Sequence, residues 1–167
     1  MSITSLDTDL DELTLTLVAD FDVPIERVWE LWADPRKLER WWGPPTHPAT
    51  FDKHDLSAGG EVAYFMTGPE GDKHRGWWRV NAVDPPRSLE VTDGFADADG
   101  NPNDEMGTTD MTMELIEREG GTRMTLRSTF ANREQMQGMV DMGMVEGLRG
   151  AVGQMDAILA GSDPSGP

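Results

Sequence analysis

Hydrophobic and polar residues alternate along several short segments of the chain. In residues 12–21, three leucines (Leu13, Leu15 and Leu17) fall on one face and threonines on the other. A period of two residues is typical of a half-buried β-strand. Six further alternating segments follow, and they are separated by turn-forming Gly, Pro, Asp and Asn. These segments are residues 49–53, 61–67, 76–83, 88–95, 109–118 and 122–130. Closely spaced strands joined by short turns predict an antiparallel sheet.

Three other segments have the period of a helix. The first begins after Pro24, which the first helical turn tolerates; its apolar face consists of Ile25, Val28, Trp29 and Trp32. The second is short, with Asp34 as its predicted N-cap, and ends near Trp41. The third is a long amphipathic helix predicted over residues 132–160, with Asn132 as its N-cap. Its apolar stripe contains Met136, Val140, Met144, Leu148, Ala151, Met155 and Leu159.

The order of these elements predicts an α+β fold. A curved antiparallel sheet wraps around the long C-terminal α-helix, and the two short helices after the first strand close one end. Because such a sheet cannot close tightly on one helix, we expect a cavity between them that suits a small ligand. We predict one domain over residues 12–160, an acidic flexible lead-in over 1–11 and a disordered tail over 161–167. Residues 97–107 are predicted to be the one long connection.

Composition and charge restrict the classes of function. The 167 residues suit one domain and contain no cysteine, which excludes disulfides, thiolate nucleophiles and cysteine-based zinc sites. A net charge of −17 disfavours nucleic acid and anionic membrane surfaces as partners. No apolar run approaches the roughly 18 residues of a membrane span, and the acidic N-terminus is unlike a secretory signal. A cytoplasmic protein without membrane insertion is therefore expected.

The polar residues form no recognisable catalytic or metal-binding motif. His47, His54 and His74 lack the spacing of metal ligands. We find no Ser-His-Asp set, phosphate-binding glycine loop or nucleotide fingerprint. The acidic segment 97–104 lacks the glutamate that closes an EF-hand calcium loop. The sequence therefore predicts no catalytic residue, no metal and no cofactor.

Five short motifs occur in the order found in a known superfamily. They are Val23–Trp29 with Ala33-Asp34-Pro35, Leu38–Pro44, Gly59-Gly60, Val83–Leu89 and Gly120–Leu126. Together they resemble the SRPBCC/START-like (helix-grip, Bet v-like) superfamily, in its AHSA-type branch of homologues of the activator of the heat-shock-protein ATPase. The resemblance extends over about Leu13 to Leu159. It implies a helix-grip fold and places Trp41 and Trp42 near the mouth of a pocket.

Residues predicted to face the cavity are the candidates for ligand binding. Tyr64 lies on a strand face with two apolar residues, and Asp93 follows Val91 on another. A buried carboxylate must be paired or protonated, so Asp93 marks a special position. Methionines adapt to ligands of varied shape. The predicted ligand-binding residues are Trp41, Trp42, Val62, Tyr64, Met66, Trp78, Val91, Asp93, Met111, Met113, Met144 and Leu148.

Three functions fit these observations. The first is binding of a small hydrophobic or amphipathic molecule, which predicts a continuous apolar pocket. The second is an enzyme of the polyketide cyclase/hydrolase type, which predicts two ionisable residues facing each other inside that pocket. The third is a co-chaperone-like or other protein-interaction role, which predicts a filled interior and an exposed apolar patch. Trp77 and Trp78 are adjacent on one strand, so one of them faces outward and is a candidate for a homodimer contact.

Overall fold

The computed structural model describes residues 3–160, apart from the side chains of residues 104–106. The described residues form one antiparallel sheet of eight strands in the order β1-β2-β8-β7-β6-β5-β4-β3. The strands are β1 Ile3–Asp9, β2 Thr14–Phe21, β3 Ala49–His54, β4 Glu61–Thr67, β5 Lys73–Asp84, β6 Ser88–Ala96, β7 Pro102–Arg118 and β8 Gly121–Thr129. This sheet, with its early short helices and C-terminal helices, confirms the predicted α+β helix-grip fold.

The helices are α1 Ile25–Ala33, α2 Pro35–Leu38, α3 Arg133–Asp141 and α4 Met144–Leu159. Both predicted N-caps are confirmed. The Asp34 side chain accepts a hydrogen bond from the backbone N–H of Arg36 at 2.9 Å, and the Asn132 side chain accepts one from Gln135 at 2.8 Å. Each cap satisfies an N–H group that has no partner within its helix. Among the described residues, no helix is long and apolar enough to cross a membrane.

The predicted single C-terminal helix is divided into α3 and α4. Gly143 separates them with φ of 92°, in the left-handed region, directly after Met142, the C-cap of α3. A residue in this conformation cannot continue a right-handed helix, and glycine adopts it without steric cost. The apolar stripe runs on through the break, which is why helical periodicity alone did not reveal it.

Two segments predicted as irregular are strands. Within the predicted flexible lead-in, Ile3–Asp9 forms the edge strand β1, which pairs with β2 from Asp9↔Thr14 to Ile3↔Ala19. Hydrophobic periodicity did not predict this strand because its composition is polar. An edge strand can be polar since it buries little surface. The expected long connection is also shorter, since β7 begins at Pro102. The predicted tail, residues 161–167, lies outside the described residues.

The core lies between the inner face of the sheet and the helices. The main cluster joins residues of β2–β8 to α1, α2 with the turn after it, and α4. A second, smaller cluster lies under α3 and consists of Leu15, Phe130, Met136 and Met139. Leu148 of α4 is half-buried and packs against both clusters. The main cluster contains most of the residues that the sequence analysis assigned to a ligand site.

Candidate functional site

Six aromatic side chains pack together inside the main core. This aromatic cluster consists of Trp32, Trp41, Trp42, Phe51, Tyr64 and Trp78. The ring centres of Trp42 and Trp78 are 4.9 Å apart at an interplanar angle of 80°. Those of Phe51 and Tyr64 are 5.1 Å apart and nearly parallel. Edge-to-face and stacked pairs at these distances stabilise a core beyond the area that they bury.

The Trp41-Trp42 pair is fixed by hydrogen bonds from two helices. The indole N–H of Trp41 donates to the carbonyl oxygen of Leu31 in α1 at 2.8 Å. From α4, the side chain of Gln154 donates to the carbonyl oxygens of Gly43 at 2.7 Å and of Trp41 at 3.3 Å. Both helices therefore hold the turn that presents Trp42 to the sheet.

Tyr64 and Asp93 form a polar pair at the edge of the aromatic cluster. The Tyr64 hydroxyl donates to Oδ1 of Asp93 at 3.3 Å. Asp93 lies opposite Trp78 in the register of β5 and β6, so these two side chains share the inner face. Tyr64 lies opposite Gly76, where an added Cβ would be 2.5 Å from the hydroxyl oxygen. The missing side chain at Gly76 therefore makes room for the Tyr64 ring.

The electrostatics of this pair are unusual. Burial raises the pKa of Asp93 to about 7, although hydrogen bonds from Tyr64 and from the Gly94 backbone N–H favour the charged form. Asp93 as a whole residue is half-buried, but its carboxyl group is surrounded by protein. Burial and the neighbouring Asp93 also raise the pKa of Tyr64 well above 10. Among the described residues, no Lys, Arg or His forms an ion pair with Asp93.

Three indole N–H groups in the cluster have no hydrogen-bond acceptor within residues 3–160. They belong to Trp32, Trp42 and Trp78. A buried donor without a partner costs about 1–3 kcal/mol. Those of Trp42 and Trp78 are close enough to the Tyr64 hydroxyl oxygen to lower its pKa, but they lack the geometry of a hydrogen bond to it. Polar groups therefore converge where the rings of Trp42, Tyr64 and Trp78 meet.

Most of the predicted ligand-binding residues lie on or under the inner face. Fully or largely buried are Trp41, Val62, Tyr64, Trp78, Val91, Met111 and Met113. Half-buried are Trp42, Met66, Asp93, Met144 and Leu148. Met144 is the one that lies apart, because it packs against the second cluster with Leu15 and Phe130. Their role in binding stays a prediction, whereas the contact between Tyr64 and Asp93 was not predicted.

The space in which we expected an open cavity is occupied by side chains of the aromatic cluster. Two pockets occur elsewhere in the described part of the chain. One, of about 30 Å³, lies between α1 and the end of α4 beside Arg27 and Leu159. The other, of about 190 Å³, lies at the surface beside Asp20 and Arg118. Neither is lined by the predicted ligand-binding residues. Because Trp32, Trp41 and Trp78 are fully buried, a ligand at the cluster would have to displace side chains.

Sequence reasoning missed three residues that shape the site. Trp32 was assigned to the core alone, and neither Phe51 nor Gly76 was considered. The available signal for Gly76 was its position before Trp77-Trp78 on a strand, where glycine is otherwise unfavourable. Phe51 shares a face with Ala49 in a segment that we had predicted as a strand.

Of the adjacent tryptophans on β5, Trp78 faces the core and Trp77 faces outward. The Trp77 indole donates to the carbonyl oxygen of Phe95 at 3.0 Å, and its ring covers Gly94. It is half-buried by these contacts. The exposed large hydrophobic residues among those described are Phe95, Ile116 and Met142. In the same residues, no group of three or more acidic or histidine side chains is arranged to hold a metal ion.

Comparisons with known proteins agree with this architecture. Residues 22–160 match the family described as "Activator of Hsp90 ATPase homolog 1-like protein". A protein from Arthrobacter aurescens is 52% identical, with a TM-score of 0.91 over 95% of this chain and 92% of that one. Protein Ms6760 from Mycobacterium smegmatis is 48% identical, with a TM-score of 0.88 over 96% of this chain and 98% of that one.

A more distant structure has the same fold. The AHSA1 protein from Silicibacter pomeroyi is 26% identical, with a TM-score of 0.70 over 88% of this chain and 97% of that one. No curated protein matches the chain. Because the family model matches most of its length, the chain belongs to the Activator of Hsp90 ATPase homolog 1-like family, the AHSA-type branch of the helix-grip superfamily.

Proposed function

We propose that the chain binds a small hydrophobic or amphipathic molecule between the inner face of the sheet and α4. The apolar part of the molecule contacts the aromatic cluster, and its polar end contacts Tyr64 and Asp93. The observation that carries this proposal is the Asp93 carboxyl group, whose side-chain partner is a neutral phenol at 3.3 Å. Burying such a group reduces stability unless something compensates. A ligand that contacts Asp93 supplies that compensation.

The residues around the cluster can move to admit a ligand. Trp42, Met66 and Leu148 are half-buried and pack against the main core. Methionine side chains are flexible and adapt to different shapes, and Met66, Met111 and Met113 all belong to the main core or pack against it. Binding therefore involves rearranging side chains rather than filling a preformed hole.

A neutral fluorescent probe tests this proposal. N-phenyl-1-naphthylamine emits strongly in apolar surroundings, and tryptophan emission overlaps its absorption. We expect saturable binding with energy transfer from the cluster. Leu148→Trp adds bulk beside the cluster and should weaken binding at least about tenfold. Ile116→Trp is the matched control, because Ile116 is exposed on β7 and this variant also adds one tryptophan.

The comparison of these two variants decides the location of the site. If both variants weaken binding of the probe equally, the probe lies outside the proposed site. The same conclusion follows if Leu148→Trp does not weaken binding while its thermal unfolding stays cooperative. A wild-type protein that fails to bind the probe or any apolar extract of its host would remove the support for a binding function.

A second candidate function is acid–base catalysis on the bound molecule. The specific observation in its favour is the pair of ionisable groups, Tyr64 and Asp93, that face each other. The pKa of Asp93, about 7, suits a general base near neutral pH. Mass spectrometry of a molecule extracted from the protein, before and after incubation with wild type or Asp93→Asn, tests this candidate. Catalysis predicts a mass or isotope-exchange change with wild type only.

A further inference from the structure

We infer that the polar end of the bound molecule is a cation, an alkylammonium group held by the Asp93 carboxylate and the rings of Trp42 and Trp78. This inference rests on the proposed function and specifies the chemical class of the ligand. It depends on three features: the charge on Asp93, the aromatic rings beside it and the net charge of the whole chain.

The first feature is a carboxylate that lacks a countercharge. Two other carboxylates on this sheet have one: Asp20 pairs with Arg123 and Glu61 with Lys53. Among residues 3–160, apart from the side chains of 104–106, the partners of the Asp93 carboxylate are the Tyr64 hydroxyl and the Gly94 backbone N–H. An ammonium group beside Asp93 would provide the positive partner that this carboxylate lacks among the described residues.

The second feature is the set of rings around this carboxylate. Trp78 is the cross-strand neighbour of Asp93, and the ring centre of Trp42 is 4.9 Å from that of Trp78. The Tyr64 ring centre is 6.0 Å from that of Trp42. Cations bind over aromatic faces within about 6 Å of the ring centre, and cages of such rings recognise alkylated ammonium groups. Asp93 is tied directly to two aromatic residues of this set, to Trp78 by strand register and to Tyr64 by a hydrogen bond, and Trp42 packs against both of them.

The indole N–H groups of the cluster do not favour an anion instead. Those of Trp42 and Trp78 interact with the Tyr64 oxygen and lower its pKa, and Asp93 accepts the hydrogen bond of the same hydroxyl. A ligand anion placed there would meet the Asp93 carboxylate.

The third feature is the net charge of −17. A strongly acidic surface raises the local concentration of cations and repels anions. It therefore favours an ammonium ligand during the encounter as well as in the site.

Three probes of similar shape and different charge test the inference. They are benzyltrimethylammonium, its neutral isostere neopentylbenzene, and phenylmethanesulfonate. Each competes with N-phenyl-1-naphthylamine at pH 8, where Asp93 is ionised. We expect the cation to displace the probe at a concentration at least about tenfold lower than the neutral isostere, and the sulfonate to be the weakest. Asp93→Asn should remove the advantage of the cation. Asp99→Asn, which changes the net charge equally at an exposed turn, should retain it.

The outcomes separate this inference from the proposed function. If neopentylbenzene displaces the probe as well as the cation does, the inference is wrong and the binding function stands. A cation preference that survives in Asp93→Asn also contradicts it. If N-phenyl-1-naphthylamine itself does not bind the wild type, the proposed function fails and the inference fails with it.

Discussion

Each face of the sheet carries a carboxylate and a tryptophan that can be compared. The hydrogen-bond and ion-pair partners of these residues differ between the two faces. On the outer face, Asp20 accepts two hydrogen bonds from Arg123, at 2.8 and 2.9 Å, and these lower its pKa. Trp77 on the same face has its indole N–H satisfied by Phe95. On the inner face, Asp93 has no cation beside it among the described residues, and the Trp78 N–H has no acceptor there.

Strand register is the reason for this difference. Asp20 lies opposite Arg123 in the pairing of β2 with β8, so the fold itself provides its countercharge. Asp93 lies between Trp78 on β5 and Thr109 on β7. The comparison separates a carboxylate whose countercharge comes from its own fold, Asp20, from one without such a partner among the described residues, Asp93, which we propose contacts a ligand.

The largest contrast between the faces is expected for their tryptophans. Trp78→Ala removes a fully buried ring from the aromatic cluster and should lower the free energy of unfolding by about 3–5 kcal/mol. Trp77→Ala removes a half-buried ring and should cost about 1 kcal/mol. Urea denaturation measures both. Equal losses of unfolding free energy in the two variants would show that the two tryptophans contribute equally to stability.

The next effect is the pH dependence of Asp93→Asn. Because the pKa of Asp93 is about 7 in the folded protein and 3.8 is the ordinary value, the folded state holds the proton more tightly. Wild-type stability therefore falls as pH rises from about 4 to 7, and the penalty is complete above 7. The stability of Asp93→Asn relative to wild type should be about 2–3 kcal/mol more favourable at pH 8 than at pH 5. Thermal or urea unfolding at both pH values tests this, and a constant difference would contradict it.

A smaller loss is expected for Gly76→Ala. The added Cβ would lie 2.5 Å from the Tyr64 hydroxyl oxygen, so the Tyr64 ring must shift. Overpacking of this kind costs about 1–3 kcal/mol, and the variant should also weaken binding of N-phenyl-1-naphthylamine. Gly147→Ala in α4 is the control, because its added Cβ would have no atom within 4 Å apart from its chain neighbours and the backbone of its own helix. It should stabilise the protein by about 0.5–1 kcal/mol. A Gly76→Ala variant as stable as this control would contradict the tight contact.

The smallest effect is expected for Asp20→Asn. Exposed ion pairs contribute little to stability, even with two hydrogen bonds. Because the pKa of Asp20 is lowered in the folded protein, its contribution is present above pH 4 and is lost as pH falls through the folded value. Its pH dependence should therefore have the opposite sign to that of Asp93. A melting temperature within about 2 °C of wild type at pH 8 is expected.

Local patterns predicted much of the fold. The alternation in residues 61–67 matches β4 without error, and the cap residues Asp34 and Asn132 begin the helices as expected. The failures have physical causes. β1 has a polar composition because it lies at the sheet edge, and Gly143 breaks the C-terminal helix through its backbone conformation rather than through its polarity.

The site was predicted only in part. Alternation placed Tyr64 and Asp93 on the inner faces of their strands. The contact between them depends on the intervening strand β5, where Gly76 opposite Tyr64 leaves room for the Tyr64 ring. Sequence spacing carries no information on such pairing across strands. The filling of the expected cavity by Trp32, Trp41 and Trp78 also depends on three-dimensional packing, because a hydrophobic period predicts which face is buried but not how much space remains.

The most direct test of this account is a carbon-13 NMR titration of the Asp93 side chain, with and without benzyltrimethylammonium. We expect a midpoint of about pH 7 in the free protein and a lower midpoint in the presence of the cation, which favours the ionised carboxylate. A midpoint near pH 4 in the free protein would show that Asp93 is solvated or already paired. A midpoint unchanged by saturating cation would show that the ligand does not reach it.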